Sequence, residues 1–576
     1  MGCFPGRPAA RATPTDDKPT TSHRATTIGE NSSRQRRQKD FEATEEEATE
    51  MYDVFMNGNK PDEIIQKGIP LDTIASKWMQ PPIMKSMDEI NDKNFTFTIK
   101  PWKYDSPRPN REPKPDNDEN TDNDLWDDDH VRMPWSRFYI SSKGKPIWPN
   151  ICQWLSSLKD KCDNQVAKFK DLKATIETCN VRDFDMKCLE ELIMKIYSNE
   201  DRNYFMYITL SKMCDLVLTL NSICSQPLPL LRIGTNRSIT MSQQQVASLL
   251  ACAFFCLFPY RSYQIRKKEY ENYQDPNFET LYQKGPPQKI EKLKCILHYF
   301  RRVTQKMPNG VVTIQRFALP KHRFPQWSDL TTGLCDLHLT TGKRIEDING
   351  ALQVDFANKY IGGGVLGGGC VQEEIRFTIC PEMLVSLLLC EKMEINECIF
   401  LIGCERYSSY RGYAKSFQFD EDYEDNTPRD NWDRRWCHVV AMDAIYFRNP
   451  SDQYQMKAVD RELLKAYTSF SPLGKGSDYE FAIATGNWGC GAFNGDKQLK
   501  AIIQLMAASE ARRPLIYAAY GDKNLITSFS VVYDYLKNQG ATVGDLYYYL
   551  IRYYRKPHRD SLFEYIFTIP VSSLRC

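Results

Sequence analysis

Residues 362–369 contain six glycines in eight positions, and this run restricts the possible folds of the chain more than any other feature. It stands between a strand-like pattern, Leu352–Phe356, and the acidic sequence Gln372-Glu373-Glu374. Glycine adopts positive φ readily and lets a backbone approach a ligand closely, but it loses more conformational entropy on folding than any other residue. A flexible linker is not expected between a strand and a cluster of acids. The run therefore predicts a binding loop whose amides contact phosphate or wrap a ribose.

The adjacent glutamates Glu373 and Glu374 are the predicted chemical centre. On an exposed helix such a pair is usually a solvated face. At the end of a glycine loop, two carboxylates crowded in a partly desolvated pocket raise the pKa of one of them, so that a neutral acid is present near pH 7. A neutral acid can protonate the leaving oxygen of a glycosidic bond, and the resulting carboxylate can activate water.

A second glycine-rich segment, Ala484–Asp496, lies between the strand pattern Phe481–Thr485 and the helical pattern Gln498–Ser509. A strand, a glycine-rich loop and a helix in this order bind phosphate through free amides and the helix dipole. The glycine spacing matches neither the P-loop nor the dinucleotide fingerprint, so a diphosphate site of another kind is predicted. Phe493 has two interpretations, a packing residue or a ring that lies against a ribose.

A third stretch, Glu405–Ala414, follows a predicted strand and contains three tyrosines. Aromatic residues at the rim of a phosphate site can stack on a base or donate a hydroxyl group to phosphate. Packing is the alternative for each of these tyrosines.

The pattern of apolar residues changes near Gly310. After it, short β-type runs alternate with helical patterns, which predicts an α/β domain with a mixed or parallel sheet whose ligands lie beyond the carboxyl ends of strands. The predicted strands are Val311–Phe317, Leu352–Phe356, Ile399–Gly403, Val439–Phe447, Phe481–Thr485 and Leu515–Tyr520. Before Gly310 the apolar spacing is helical, over Ile151–Leu158, Leu189–Tyr197, Phe205–Leu220, Gln244–Phe258 and Ile290–Arg302. No run of acids, histidines or glycines there suggests chemistry, so a supporting role is predicted for it.

Residues 1 to about 130 have the composition of a disordered tail. Charge blocks such as Asp116–His130 cannot bury enough apolar surface to offset the entropy of ordering, although the apolar islands Met51–Met56 and Ile74–Met84 could fold onto the body. The basic cluster Arg34–Lys39 is compatible with nuclear import, and the acid-free first residues are compatible with a mitochondrial form. The predicted division is a tail over 1–130, a helical accessory domain over 131–309 and a catalytic domain over 310–576.

The composition excludes several classes of function. Lys and Arg number 75 and Asp and Glu 74, so no bulk basic field is present, any anionic substrate must be held by local geometry, and direct nucleic-acid binding is not expected. The 19 cysteines form no Cys-x-x-Cys pair, which predicts free thiols and no zinc site. The longest mainly apolar run, Val246–Phe258, is shorter than the ~20 residues of a membrane span. Ser242 and Gln245 before it predict a capping box that begins a buried helix.

Together these segments resemble the poly(ADP-ribose) glycohydrolase family. The signature of the family is Gly-Gly-Gly, six to eight residues, then Gln-Glu-Glu, and here seven residues separate Gly362-Gly363-Gly364 from Gln372. The resemblance extends from about residue 242 to residue 554, through Val354–Asn358, Arg411–Ala414 and Gly486–Phe493. It implies an α/β fold with a macrodomain-like mixed sheet flanked by helices, an N-terminal all-helical accessory domain and a disordered N-terminal tail.

The resemblance also implies an activity. Members of the family hydrolyse the ribose–ribose O-glycosidic bonds of poly(ADP-ribose) on modified proteins and release ADP-ribose. The expected context is the DNA damage response, in the nucleus or the cytoplasm, with no cofactor, metal or membrane partner. A preference for polymer ends and poor removal of the last protein-linked unit are implied as well.

Site residues carry over by position. Glu374 matches the catalytic acid of the family, Glu373 matches the neighbour that orients the ribose, and Gln372 completes the signature. Asp355 and Asn358 match residues at the ribose end of the site, and Asp355 is the next candidate for the proton chemistry.

The remaining matches bind the rest of the ligand. They are Ile345 and Glu346 at the adenine edge (with a one-residue gap in the alignment), Tyr413 closing over the ligand, Tyr520 beside the adenine, and Gly486, Asn487, Gly489, Gly491, Ala492 and Phe493 in the diphosphate loop. The family often has Phe at the position of Tyr520 and Gly at the position of Asn494, and Leu366–Cys370 is richer in glycine than usual. These departures bear on affinity and loop rigidity rather than on the chemistry.

Two other functions use parts of the same pattern. A non-catalytic macrodomain that binds ADP-ribose would need the phosphate loop but not the two glutamates, so Glu373 and Glu374 argue against it. A hydrolase of mono-ADP-ribosylated protein would be distinguished by its products.

Overall fold

The computed structural model describes residues 64–102, 112–116, 124–261, 270–471, 481–555 and 561–574. The predicted basic cluster, the start of the chain and the island Met51–Met56 lie outside these residues. Within them the chain forms the strands β1 (Gln66–Gly68), β2 (Phe95–Phe97), β3 (Arg237–Ser242), β4 (Val311–Ala318), β5 (Leu337–Thr340), β6 (Leu352–Asp355), β7 (Glu397–Ile402), β8 (Ser408–Arg411), β9 (Gln418–Asp422), β10 (His438–Ala441), β11 (Ile483–Thr485) and β12 (Leu515–Ala518).

Ten of these strands form one mixed sheet in the order β1-β5-β12-β11-β6-β10-β7-β4-β3-β2. Strands β5, β12, β11, β6 and β10 are parallel to one another, and β7 and β1 run antiparallel to their neighbours in this group. Strands β8 and β9 form a separate hairpin. A strand is present at each of the six predicted positions, although β10 ends at Ala441 where the sequence predicted Phe447, and the macrodomain-like mixed sheet is confirmed.

The α-helices before β4 are α1 (Leu71–Trp78), α2 (Trp148–Asp163), α3 (Phe169–Asn180), α4 (Lys187–Glu191), α5 (Asn199–Tyr204), α6 (Leu210–Leu218), α7 (Leu220–Ile223), α8 (Gln243–Phe254), α9 (Glu279–Tyr282) and α10 (Gln288–Gln305). Two π-helical turns, Leu192–Ile196 and Phe205–Thr209, continue α4 and α5. The predicted capping box is present, because the Ser242 hydroxyl accepts from the Gln245 amide and the Gln245 side chain accepts from the Ser242 amide. No helix in the described ranges is long and apolar enough to cross a membrane.

The α-helices after β4 are α11 (Gln372–Ile379), α12 (Val385–Leu389), α13 (Met456–Phe470), α14 (Lys497–Glu510), α15 (Lys523–Asn538), α16 (Val543–Tyr554) and α17 (Leu562–Phe567). Side chains of β4, β7 and β10 alternate between two cores, as the period of a strand requires. On one face Ile314 and Leu401 pack with the helical region, and on the other Phe400 and Val440 pack with the C-terminal helices.

The sheet does not stop at residue 310. Strand β3, from the region predicted to be helical, pairs with β4 over six residues, Arg237–Ser242 against Val311–Arg316. The helical region therefore adds a strand to the sheet of the catalytic region, and its helices share one core with that sheet.

Residues 64–102 depart from the expectation of a disordered tail. Strand β1 pairs with β5 at one edge of the sheet, and β2 pairs with β3 at the other. Between them the apolar island predicted at Ile74–Met84 packs on the body, with Ile74 buried. The composition of this segment is polar, but backbone pairing at two sheet edges supplies ordering that composition does not reveal.

The described cysteines are all free thiols, and most of them are buried. Burial raises the pKa of several of these thiols, as for Cys162 and Cys179, each to about 12, so they act as apolar packing groups.

Candidate active site

The carboxyl ends of the five parallel strands lie side by side at one end of the strands, here called the carboxyl edge of the sheet. The predicted site segments lie at this edge. The pair Ile345-Glu346 follows β5, Asp355 ends β6, and Tyr520 follows β12. The glycine-rich loop at 486–496 follows β11, which is the neighbour of β6. Segments far apart in the chain are thus brought together, as parallel topology requires.

The tyrosine-rich stretch reaches this edge by another route. Strand β7, which precedes it, is antiparallel to β10, so its carboxyl end lies at the opposite edge. The hairpin β8–β9 returns toward the site, where the Tyr410 hydroxyl donates to Glu346 Oε1 at 2.6 Å.

Residues 356–371, here called the acid loop, hold Glu373 in place through backbone amides. Its Oε2 accepts from the Asn358 amide at 2.8 Å, and its Oε1 accepts from the Gly362 amide at 2.6 Å. The side chain is 3 % exposed. Both oxygens are therefore fixed from one side by the loop.

Glu374 is held by the same loop from the other end. Its Oε1 accepts from the Gly364 amide at 2.8 Å, and its Oε2 accepts from the amide of Val371, the N-cap residue of α11, at 2.9 Å. Two carboxylate oxygens offer about four acceptor positions, so one amide on each leaves capacity for a ligand.

The glycines are required here by close contact. A Cβ on Gly363 would lie 2.6 Å from a carboxylate oxygen of both Glu373 and Glu374, and its φ is +51°. A Cβ on Gly369 would lie 2.7 Å from Glu374 Oε1. The backbone can pack against the carboxylates only because these positions lack a side chain.

Three carboxyl groups, those of Asp355, Glu373 and Glu374, lie together in this buried place. Burial raises the pKa of Glu373 well above its usual range, with added repulsion from Asp355 and Glu374. Burial also raises the pKa of Asp355, with repulsion from Glu374. Neither carboxyl oxygen of Asp355 has a hydrogen-bond partner among the described residues. A buried carboxyl group of this kind is expected to be neutral or to bind a ligand or water.

Gln372 and Tyr413 brace the start of α11. The Gln372 side chain accepts from the Phe356 amide at 2.8 Å and donates to the Val354 carbonyl at 3.2 Å. The Tyr413 hydroxyl accepts from the Gln372 amide at 3.2 Å. Tyr413 thus lies beside the acids, where the sequence predicted a ligand contact.

Residues 486–496, here called the phosphate loop, are more open. Of the backbone amides of residues 487–493, only those of Trp488 and Cys490 donate to a described acceptor, the carbonyls of Gly486 and Asn487 respectively. The other amides, those of Asn487, Gly489, Gly491, Ala492 and Phe493, donate to no described acceptor. The loop precedes α14, whose N-cap is Asp496. Its free amides at a helix start can bind an anion.

Side chains of the phosphate loop pack into the protein and hold the loop in place. The buried Trp488 donates from Nε1 to the Met442 carbonyl at 3.0 Å, and the Lys500 ammonium lies 3.9 Å from the ring centroid. Phe493 packs partly against the core that includes the C-terminal helices. Its ring lies edge-on to that of Tyr446, with the ring centroids 6.4 Å apart. Phe493 is itself part of the loop, so this packing is compatible with both interpretations of its ring.

The predicted adenine side contains one residue, Arg344, that the sequence did not single out. The Arg344 guanidinium lies 4.2 Å from the Tyr410 ring and 5.6 Å from the Tyr520 ring, and donates to the Tyr520 hydroxyl at 3.4 Å. Tyr520 is 41 % exposed and has a φ of +30°. Arg344 immediately precedes the predicted site residue Ile345. This position was the one feature of the sequence that could have indicated it.

The helical region also supplies residues that sequence reasoning missed. Lys292 of α10 and Gln274 of the loop before α9 donate hydrogen bonds to carbonyl oxygens of the acid loop. Lys292 lies among apolar residues on the buried face of α10, which is the one signal that could have marked it.

Within the described ranges, no group of three or more His, Cys, Asp and Glu residues could hold a metal ion.

Two family models match the chain. One, described as poly(ADP-ribose) glycohydrolase, macro domain fold, matches residues 324–527. The other, described as the helical domain of the same enzyme family, matches residues 197–316. Together they cover the acid loop, the phosphate loop, Gln274 and Lys292.

Several curated proteins are similar to the chain. Probable poly(ADP-ribose) glycohydrolase 2 of Arabidopsis thaliana is 35 % identical over 367 residues, which cover 55 % of this chain and 69 % of that protein. Poly(ADP-ribose) glycohydrolase 2 of Caenorhabditis elegans is 32 % identical over 383 residues, which cover 63 % of this chain and 74 % of that protein. Poly(ADP-ribose) glycohydrolase 1 of the same nematode is 35 % identical over 329 residues, 40 % of its length.

Proposed function

Because this chain belongs to the poly(ADP-ribose) glycohydrolase family, we propose that it hydrolyses the ribose–ribose O-glycosidic bonds of poly(ADP-ribose) and releases ADP-ribose. It is a glycosidase of the hydrolase class. The observation that carries the proposal is the position of two different loops next to each other, at the carboxyl ends of β6 and β11. The acid loop holds two buried glutamates, and the phosphate loop beside it presents free amides.

Glu374 is proposed as the general acid and base. Its carboxyl group donates a proton to the departing ribose oxygen while the anomeric carbon–oxygen bond breaks and the ribose develops oxocarbenium character. The resulting carboxylate then takes a proton from a water molecule, whose oxygen bonds to the anomeric carbon. One water is consumed, and Glu374 regains its proton.

The neighbouring carboxyl groups support this chemistry. Glu373 orients the ribose. Burial raises the pKa of Glu373 and of Asp355, and repulsion from Asp355 adds to the rise at Glu373, so both groups favour their neutral forms. Asp355, with both carboxyl oxygens unpartnered among the described residues, is the second candidate for proton transfer.

The other predicted residues position the substrate rather than transfer protons. The free amides of residues 487–493 are proposed to bind the diphosphate, and Glu346, Arg344 and Tyr520 are proposed to hold the adenine end. Positioning of this kind lowers the entropic part of the barrier.

The test is to incubate the pure protein with poly(ADP-ribose) labelled in the adenine and to identify the products. Release of monomeric ADP-ribose supports the proposal. Binding of ADP-ribose without cleavage would replace it with a non-catalytic macrodomain. Removal of ADP-ribose from mono-modified protein, with the polymer left intact, would replace it with a mono-ADP-ribose hydrolase.

A further inference from the structure

The acid loop is bound from behind by two side chains of the helical region. The Lys292 ammonium donates to the carbonyls of Gly369 at 2.5 Å, Gly367 at 2.9 Å and Gly364 at 3.4 Å. Lys292 is 0 % exposed. Burial of an ammonium group is costly unless its protons are satisfied, and here three carbonyls of one loop satisfy them.

Gln274 does the same at the other end of the loop. Its Nε2 donates to the carbonyls of Tyr360 at 2.9 Å, Ile361 at 3.1 Å and Gly363 at 3.2 Å. Six carbonyls between residues 360 and 369 are thus bound by two donors that come from outside the catalytic region.

The amides of the same loop face the acids. Gly364 bonds Glu374 through its N–H and Lys292 through its carbonyl. A Cβ on Gly369 would meet Glu374 Oε1, while the carbonyl of Gly369 bonds Lys292. Because glycine imposes no backbone preference of its own, a loop with this many glycines needs outside contacts to hold its amides in one direction.

We propose that Lys292 and Gln274 are positioning residues for the reaction, which fix the carbonyls of the acid loop so that its amides hold Glu373 and Glu374 in their reactive orientation. The proposal rests on the proposed function, because it assigns these residues a role in the same catalytic step. It gives the helical region a part in the chemistry, where the sequence predicted only support.

The first test compares Lys292→Met with Lys294→Met. Lys292→Met keeps the aliphatic stem and removes the donors, whereas Lys294 lies on the same helix and pairs with Glu291 at 2.7 Å, away from the loop. For Lys292→Met we expect kcat to fall by about tenfold or more, with the KM for polymer and the Kd for ADP-ribose changed by no more than about threefold. Lys294→Met should leave all three values near those of the wild type.

A second variant keeps the proposal testable if Lys292→Met does not fold. Gln274→Glu preserves shape but presents a carboxylate to three carbonyl oxygens. Its kcat relative to the wild type should be low at pH 8 and recover as the pH falls, because the introduced carboxyl group regains a donor when protonated. If the loss of kcat came only from a disturbed fold, lowering the pH would not restore it.

Amide hydrogen exchange separates this proposal from the proposed function. In Lys292→Met the amides of residues 358–371 should exchange faster, while those of residues 487–493 should not change. Unchanged exchange in the acid loop, an unchanged kcat, or a loss of ADP-ribose binding in parallel with kcat would overturn the positioning role. Failure of the wild type to release ADP-ribose would overturn the proposed function, whatever the exchange rates show.

Discussion

The acid loop and the phosphate loop are both rich in glycine and follow neighbouring strands, yet they are built in opposite ways. In the acid loop the carbonyls are bound by Gln274 and Lys292, and the amides are bound by Glu373 and Glu374. In the phosphate loop most amides of residues 487–493 are bound by no described acceptor. The same residue type thus permits close packing around two buried carboxyl groups in one loop and leaves most amides without a described acceptor in the other.

If the acid loop carries the chemistry, Glu374→Gln should have the largest effect. The amide side chain keeps the size of the carboxyl group but cannot donate the required proton or activate water. Turnover of poly(ADP-ribose) should fall by at least about 10²–10⁴-fold, while ADP-ribose binding measured by calorimetry is retained. Glu373→Gln should also be impaired, and Glu346→Gln should change binding more than turnover.

Near-normal turnover of Glu374→Gln would show that another group transfers the proton, and Asp355 would be the first to test. A loss of turnover matched by a loss of binding would make Glu374 a binding residue.

A matched pair of glycine substitutions tests the contrast directly. Gly363→Ala places a Cβ 2.6 Å from both carboxylates at a φ of +51°, where strain alone is about 1–2 kcal/mol. Turnover should fall by tenfold or more and Tm should drop. At Gly491 an added Cβ would meet nothing within 4 Å, so Gly491→Ala should leave Tm unchanged. Equal Tm losses in the two variants would remove the distinction between the loops.

The two loops should also differ in their response to pH. The pKa of Glu373 is raised above the usual 4.5 by burial, so the folded protein binds this proton more tightly than the unfolded chain does. The resulting stability is complete below the unfolded pKa and is lost as the pH rises through the folded pKa. The Tm of the wild type minus that of Glu373→Gln should therefore decrease from pH 4 upward.

Gly491→Ala is the control for this comparison, since it changes no titrating group. Its Tm difference from the wild type should be independent of pH. A wild-type advantage over Glu373→Gln that grows with pH would contradict the raised pKa.

The smallest effects are expected at the two tyrosines on either side of the site. Tyr413 contacts the start of α11, and Tyr413→Ala should weaken ADP-ribose binding by about 1–3 kcal/mol in calorimetry, the range for a lost stacking contact. Tyr520→Phe keeps the ring and loses only a 3.4 Å contact with Arg344, so its binding should be nearly unchanged. An inert Tyr413→Ala would assign that residue to packing alone.

Local patterns predicted the centre of the molecule well. Strands β4, β6, β7, β10, β11 and β12 have the apolar runs of buried strands, and each was expected from its own residues. The position of the acids beside the glycine-rich loop was also expected, since glycine triplets before a Gln-Glu-Glu sequence are uncommon. Their chemistry stays a prediction.

The parts that were missed depend on distant partners. Strands β1 and β2 have three residues each, and their order comes from pairing with β5 and β3, which a local pattern does not show. Lys292 has the sequence context of any helical lysine, and its contacts with the acid loop form only when α10 packs against that loop. Boundaries drawn from composition were least informative for this reason: the change of pattern near residue 310 falls between two paired strands.

The continuity of the sheet across residue 310 limits where the chain can be truncated. A fragment that begins at residue 310 would expose the edge of β4, whose eight residues are nearly all buried in the intact chain. A fragment that begins near residue 128 would expose the edges of β5 and β3. Unpaired, apolar sheet edges recruit strands from other molecules and lead to aggregation. A fragment that avoids these exposed edges therefore begins before Gln66 and retains β3.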